Sequence, residues 1–425
     1  MSLPNIVELI KETYNRIKSN SVAGFLVISI GLIVGTPSAN LDMANHWLSK
    51  PETFFSPSHG GVYTGVAIVI FGSIWVLKNA YRQQTKHKKD VDPRGKTHTL
   101  EYFTPHRWFF NDDIPLSVKL VFYGVIITTL AGPFDFAWHT VFGLDGLLSP
   151  SHATFRIGDA LCAIGALLGI ISTHPVMSSA KRSMKYYSLY PVFIIITILP
   201  VVFAARGFIS MVTLPFSNTY SFQWNPDPLV AAIIATIGYP FFISLILYLS
   251  FRVGNFNAIS TLGEVGSKSL VTRHRFKFGI LTATGIGLMA ASLSGFFPNI
   301  FLQPTIPLYV LNIIPIVSAD ILLTMVYVNT SYSNLYGRII EIVVGAILGL
   351  TFFTLQYPFI TYTYNLVLEN PEIIGPTNVH MVYLKTLSVL PFITIPSILF
   401  GILGVIVGRN LLSHYTPQLV KSNQT

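Results

Sequence analysis

Apolar runs of about twenty residues recur along this chain, and no other property restricts its fold as strongly. A helix needs roughly that length to cross about 30 Å of hydrocarbon, and within lipid every backbone polar group must be satisfied inside the segment. About ten such runs are present, at 22–39, 60–79, 115–134, 152–173, 187–208, 229–251, 277–297, 306–328, 339–361 and 381–407. Only 11% of the residues are charged and 51% are hydrophobic, whereas a soluble domain carries about 25% charged residues. The expected fold is all-α: a polytopic membrane helix bundle of about ten transmembrane helices in five hairpins, its lipid bilayer the first partner.

Charge placement orients the bundle. Lys and Arg collect in alternate connections, at Lys78 to Lys96, Lys181, Arg182 and Lys185, Arg252 to Lys277, Arg338 and Arg409. The opposite connections hold Lys50 and otherwise carry Asp42, Asp135, Asp145, Asp227, Glu369 and Glu372. The positive-inside rule then predicts a multi-pass protein of the cell membrane with both termini cytoplasmic and the acidic loops external. The net charge of +9 is a topology signal on this reading. Nucleic acid is excluded as a partner, because a basic stripe needs a folded soluble surface to carry it. The first residues mix Glu8, Lys11, Glu12, Arg16 and Lys18 with Ile6, Leu9, Ile10, Tyr14 and Ile17. That spacing suits a short amphipathic helix on the cytoplasmic surface rather than a signal peptide. The single cysteine, Cys162, excludes an intramolecular disulfide framework.

The expected organisation is a leader over 1–21, a first hairpin over 22–79, a basic linker over 80–113 and a second hairpin over 114–174. Three further hairpins over 175–408 and a cytoplasmic tail over 409–425 complete it. Four-residue glycine spacings (Gly31 and Gly35, Gly61 and Gly65, Gly165 and Gly169, Gly345 and Gly349, Gly404 and Gly408) predict close helix packing within the bundle.

The first two hairpins share a motif. Asp42, His46 and Ser56-Pro57-Ser58-His59 recur without a gap as Asp135, His139 and Ser149-Pro150-Ser151-His152, a constant offset of 93 residues. Asp and His four apart share one helical face. The Ser-Pro pair predicts a helix start, with Ser as N-cap and Pro at the first helical position. His59 and His152 then fall in a first turn, where the positive end of the helix dipole favours the neutral, metal-binding imidazole. Two His and one Asp would leave a coordination position open, as reactive metal sites do. The alternative is hairpin architecture, with capping serines and hydrogen-bonded Asp-His pairs. Helix starts need Ser and Pro, but not His twice over.

The second copy, Asp135-Phe-Ala-Trp-His139 through Ser149-Pro150-Ser151-His152, resembles the C subunit of the copper membrane monooxygenases, the particulate methane and ammonia monooxygenases. The family motif has Asp, His and His at this spacing, a Trp before the first His and a Pro-Ser-His ending. The resemblance implies copper at Asp135, His139 and His152, and a second site at Asp42, His46 and His59, where Asn45 replaces the Trp and Pro51 interrupts the loop. It also implies other membrane subunits as partners and oxidation of a small substrate. The donor set suits zinc as well as copper. No catalytic residue is assigned.

Several charges fall inside the apolar runs. Arg156 and Asp159 lie one and two turns beyond His152 and are spaced to pair, so they are candidates for orienting that ligand. Asp320 lies in the middle of the eighth run, with Lys385 of the tenth as a candidate partner. An intramembrane carboxylate of this kind marks a proton or cation path. A metal- or proton-coupled transporter, and a non-catalytic membrane scaffold, are therefore the alternatives to a copper monooxygenase component. Glu341, adjacent to Arg338, is expected to form an interfacial ion pair.

Overall fold

The computed structural model describes residues 21–47, 53–89, 114–142, 148–179, 184–213, 228–254, 279–300, 302–328, 334–351, 357, 361–363 and 378–421. The expected amphipathic leader, most of the basic linker and Asp145 lie outside the described residues. Every described element is helical: α1 Val22–Trp47, α2 Pro57–Lys89, α3 Leu116–Phe142, α4 Pro150–Ser179, α5 Met184–Thr213 and α6 Pro228–Gly254. These are followed by α7 Ile280–Leu293, a 3-10 turn at Gln303–Thr305, α8 Ile306–Val310, α9 Ile313–Val328, α10 Asn334–Leu350 and α11 Asn378–Lys421.

Among the described residues, eight stretches are long and apolar enough to cross a membrane, one of them the run Gln303–Met325 through α8 into α9. The chain is a multi-pass membrane protein. One of the expected runs takes a shorter form. The seventh becomes α7, whose 14 residues span about 21 Å at about 1.5 Å per residue, less than the hydrocarbon thickness. It gives way to turns through Phe296-Phe297-Pro298, where proline cannot continue the ladder. The ninth is helical over the 17 residues of α10, and residues 357 and 361–363 are helical again. At the other extreme, α11 continues to Lys421, so helix runs through most of the segment expected as a tail. Neither Gly nor Pro stands between Arg409 and Thr416 to stop it.

The two hairpins carrying the repeated motif close in the same way. A Cβ added to Gly31 would stand 2.8 Å from the carbonyl oxygen of Gly65, and one added to Gly65 would stand 2.8 Å from that of Gly31. In the second hairpin the corresponding approaches are 2.7 Å from Gly124 to Gly158 and 2.9 Å in return. These four glycines are related by the same offset of 93 residues. Backbone thus packs on backbone at both crossings, as small residues allow within lipid.

Two apolar cores lie side by side. One joins Phe25, Ile28, Val69, Val121, Cys162, Ile170 and Ile194, and so holds α1 to α5 together. The other joins Ile198, Val202, Tyr239, Leu247, Leu288, Ile316, Leu323 and Val344. Helix α5 contributes to both and is the seam between them. A further tie comes from Asn40 near the end of α1, whose buried amide donates to the Ala291 carbonyl and to Ser294 Oγ at 3.2 Å. There the Ala291 carbonyl also accepts from the Ser294 N–H and hydroxyl, at 3.4 and 2.7 Å, so Asn40 joins a C-terminal turn whose carbonyls the regular ladder leaves over.

Replacing Gly158 by Leu should lower stability by about 1–3 kcal/mol, because the new side chain would meet the α3 backbone. Gly132, whose added Cβ would meet nothing within 4 Å, should tolerate alanine. The unfolding temperatures of the two purified variants in detergent check this contrast.

Candidate metal centre

The last turns of α3 and the first turn of α4 meet at three potential ligands. Asp135 and His139 share a face of α3, with His139 Nε2 3.5 Å from Asp135 Oδ2. His152 enters from α4, its Nε2 3.4 Å from Asp135 Oδ1. One ligand atom from each residue lies within 4.8 Å of the others, and the two imidazole centroids are 5.6 Å apart. The helix start is the one the Ser-Pro pair predicts: Ser149 Oγ accepts the His152 backbone N–H at 3.3 Å, and Pro150 opens α4. Ser151 adds a contact that the spacing alone did not assign, donating its hydroxyl to Asp135 Oδ1 at 2.6 Å. The carboxylate therefore faces the positive end of α4 and is held by a hydroxyl from its first turn.

This donor set fits a metal ion. Ligand atoms about 2.0–2.1 Å from a tetrahedral centre are separated from each other by about 3.3–3.4 Å; His139 stands near that distance from Asp135 Oδ2 and His152 from Oδ1, so closing one carboxylate oxygen and both imidazoles on a single ion takes a small side-chain shift. The three side chains retain between 17% and 28% of their surface, which leaves room for a fourth ligand. Exposed apolar side chains flank the centre: Phe134, Phe136 and Val141 on α3 and Ile157 on α4. Trp138 stacks on Phe142 with ring centroids 4.4 Å apart and lies 6.1 Å from Phe134. It thus belongs to an aromatic ridge of i, i+4 neighbours along α3.

The first copy is arranged differently. His59 Nε2 lies 2.9 Å from Asp42 Oδ1, and His59 Nδ1 lies 2.8 Å from the Thr53 carbonyl oxygen. A carbonyl only accepts, so Nδ1 carries the proton. Nε2 then faces a carboxylate oxygen at hydrogen-bond distance, which requires a second proton or a cation there. Ser56 bonds back into its loop, its Oγ accepting the Thr53 N–H at 2.7 Å. The side chain of His46 lies outside the described residues.

An aromatic bridge links the two loci. Phe54 packs on Tyr63 at 5.0 Å and on Phe136 at 5.2 Å, while Tyr63 lies 6.2 Å from the His59 ring. The first loop therefore rests against α3 beside Asp135. No repeat signal could have found this contact, since the positions 93 residues beyond Phe54 and Tyr63 are Leu147 and Arg156. Ser151, by contrast, was visible as a repeated residue.

The intramembrane charges take other partners than their spacing suggests. Asp159 accepts a hydrogen bond from Thr128 Oγ1 at 3.5 Å, across to α3. Among the described residues no direct ion pair joins it to Arg156, although that charge acts on it. The Arg156 side chain instead reaches α5, with its Nε 3.3 Å from where a Gly207 Cβ would stand. Asp320 is buried, and its Oδ2 accepts from the Gly279 N–H at 2.9 Å, the Thr282 N–H at 2.9 Å and Thr282 Oγ1 at 2.6 Å. It caps the N-terminus of α7 from a neighbouring helix. Gly279, at φ 112°, is the left-handed residue that turns its N–H toward this carboxylate. The side chain of Lys385 lies outside the described residues. Glu341 pairs with Arg252 and Arg409, on two other helices, rather than with its sequence neighbour Arg338, which is exposed.

No protein-family model, curated protein or solved structure matches this chain.

Ser151→Ala should weaken metal binding about 10- to 100-fold, as loss of a group that orients a ligand does, while leaving the fold intact. Titration against a competing chelator reads this directly. Asp320→Ala should destabilise the protein by about 1–3 kcal/mol, because the orphan donors of α7 lose their acceptor. Its melting temperature relative to wild type is the check.

Proposed function

We propose that this is an integral membrane metal-binding protein whose working centre is Asp135, His139 and His152, with copper as the metal. The observation that carries the reading is the convergence of three ligand atoms from two helices within 4.8 Å of one another. Copper is preferred to zinc on the motif resemblance to the copper membrane monooxygenases, because the donor set accommodates either. We place the centre at the external end of the bundle, with both termini cytoplasmic, on the charge bias of the connections.

Bound copper would supply one-electron and oxygen chemistry for oxidation of a small substrate. The chain's own contribution is to hold three donors, to orient Asp135 through Ser151, to place His152 in the first turn of a helix, and to leave a ligand position open. Thr128 and Asp159 brace α3 against α4 beneath the centre. The first two hairpins are copies of one unit, a reading supported by the motif and the glycine crossings at one offset. The Asp42–His59 locus is the diverged copy. Its 2.9 Å contact suits an ion pair, and as a metal site it would need His46. The transporter alternative rests on Asp320, whose carboxylate serves as a helix cap and so favours a structural role.

Metal content of the purified protein tests the proposal. Wild type should retain about one copper at this centre, and His139→Ala/His152→Ala should lose it. A smaller change is expected for His46→Ala/His59→Ala. Metal content unaltered in the first double variant would remove the site assignment. Zinc in place of copper in protein from copper-supplied cells would remove the monooxygenase relation while leaving the site.

A further inference from the structure

Phe54 of the first hairpin reaches across to the ligand cluster of the second. Its ring meets Phe136 edge-to-face, with centroids 5.2 Å apart and planes at 79°. Phe136 adjoins Asp135 in the chain and keeps 50% of its surface exposed. On its other side Phe54 packs against Tyr63 of α2, at 5.0 Å, and the charges of both Asp135 and Asp42 act on the Tyr63 hydroxyl. The two rings therefore stand along the side of the Asp135–His139–His152 cluster that faces the first hairpin. Phe55, the next residue, is 85% exposed, so the loop turns one aromatic ring toward α3 and leaves its neighbour outside.

The first Asp–His pair fixes the place of Phe54. Thr53, the residue before it, is held at both of its backbone groups. Its N–H donates to Ser56 Oγ at 2.7 Å, and its carbonyl accepts from His59 Nδ1 at 2.8 Å and from the Ser56 N–H at 3.0 Å. His59 is tied in turn to Asp42 through Nε2 at 2.9 Å. A run of contacts thus leads from Asp42 through His59 and Thr53 to Phe54 and Phe136, and it ends beside Asp135. A side chain supported in this way is pre-ordered before any ligand arrives. The second hairpin has no equivalent, since Leu147 and Arg156 occupy the positions 93 residues beyond Phe54 and Tyr63. The Arg156 side chain lies against Gly207 of α5 instead.

Aromatic rings at this place offer a metal no donor atom, but they limit what can approach from their side. Resting on the metal-centre reading above, we propose that Phe54 and Tyr63 form a wall of the Asp135–His139–His152 centre that selects by size the ligand entering its open position. The Asp42–His59 pair positions that wall. A compact ligand passes it, whereas one with a bulky group on that side must displace a ring from its packed partners. Phe54 and Tyr63 are thus specificity-determining residues, and His59 is a positioning residue. The two hairpins divide the task, the second supplying the ligands and the first the wall.

The test uses the full-length protein in detergent, loaded with Cu(II) as a probe ion and titrated with imidazole or phenylimidazole. The two probes offer the same nitrogen donor and differ by one ring. Electron paramagnetic resonance reads the binding of each through its nitrogen hyperfine structure. Wild type should bind imidazole and discriminate against phenylimidazole. Phe54→Ala should raise the phenylimidazole affinity about tenfold, the scale on which a pocket senses added apolar bulk, and leave the imidazole affinity unchanged. His59→Ala should move the ratio of affinities in the same direction by less. Tyr63→Leu removes the ring that backs Phe54 and carries the test if Phe54→Ala does not fold. A merely structural role would alter both affinities together and leave their ratio unmoved. Equal affinities in wild type, or an unchanged ratio in the Phe54 and Tyr63 variants, would overturn the wall alone. A ratio unmoved in His59→Ala would overturn the positioning role. Failure of wild type to bind Cu(II), or binding unaffected in His139→Ala/His152→Ala, would overturn the centre itself and the wall with it.

Discussion

The backbone-to-backbone approach of α3 and α4 at Gly124 and Gly158 governs the distance at which Asp135 and His152 face each other. Both ligands ride on stiff helices, and the crossing lies about two to three turns below them. A side chain at either glycine would spread the hairpin and carry the carboxylate and the imidazole apart. Within lipid this closeness brings no hydrophobic gain, because lipid tails are as apolar as a helix surface. It rests on packing and on the polar contacts that bridge the two helices. Those contacts lie along one seam, from Thr128 and Asp159 to Ser151 and Asp135, with the Asp135–His139–His152 cluster at its end.

The same economy of polar groups recurs through the bundle. Asp320 and Asn40 satisfy opposite ends of α7, a carboxylate at the positive end and an amide donor at the negative end. A helix of this length leaves donors and acceptors at both termini that its own ladder does not use. Side chains from α9 and α1 take that part. Asn40 lies two residues before Asp42, so the packing that completes α7 also fixes the helix carrying the first Asp–His locus. Glu341 plays the equivalent part at the other end of the bundle, drawing α6, α10 and α11 together.

Much of the candidate metal centre was readable along the chain because its parts are local. Asp135 and His139 share a face by helical periodicity, and His152 follows a Ser-Pro helix start whose capping bond forms as expected. The two copies nonetheless differ in ways their common motif conceals. Ser149 caps the His152 N–H, whereas Ser56 turns to the Thr53 N–H, and a loop carbonyl sets the proton on His59. These differences arise in the twelve residues between the histidines, where only the closing Ser-Pro-Ser repeats. The aromatic bridge through Phe54 and Tyr63 has no counterpart in the second hairpin and left no trace in the repeat.

Membrane residence, the all-helical class, the close hairpins and the ligand set all follow from short-range patterns: run length, the 3.6-residue period, helix-start residues and small-residue spacing. Choice of partner between helices does not. Arg156 and Asp159 are spaced to pair, yet one reaches α5 and the other α3. Glu341 stands beside Arg338 in the chain but pairs with residues from two distant helices. Asp320 meets a helix terminus 38 to 41 residues earlier in the chain. Each outcome depends on crossing angles and on which face a helix turns inward, set by the packing of the whole bundle. Local periodicity puts a charge on a helix; only the assembled fold decides what stands opposite it.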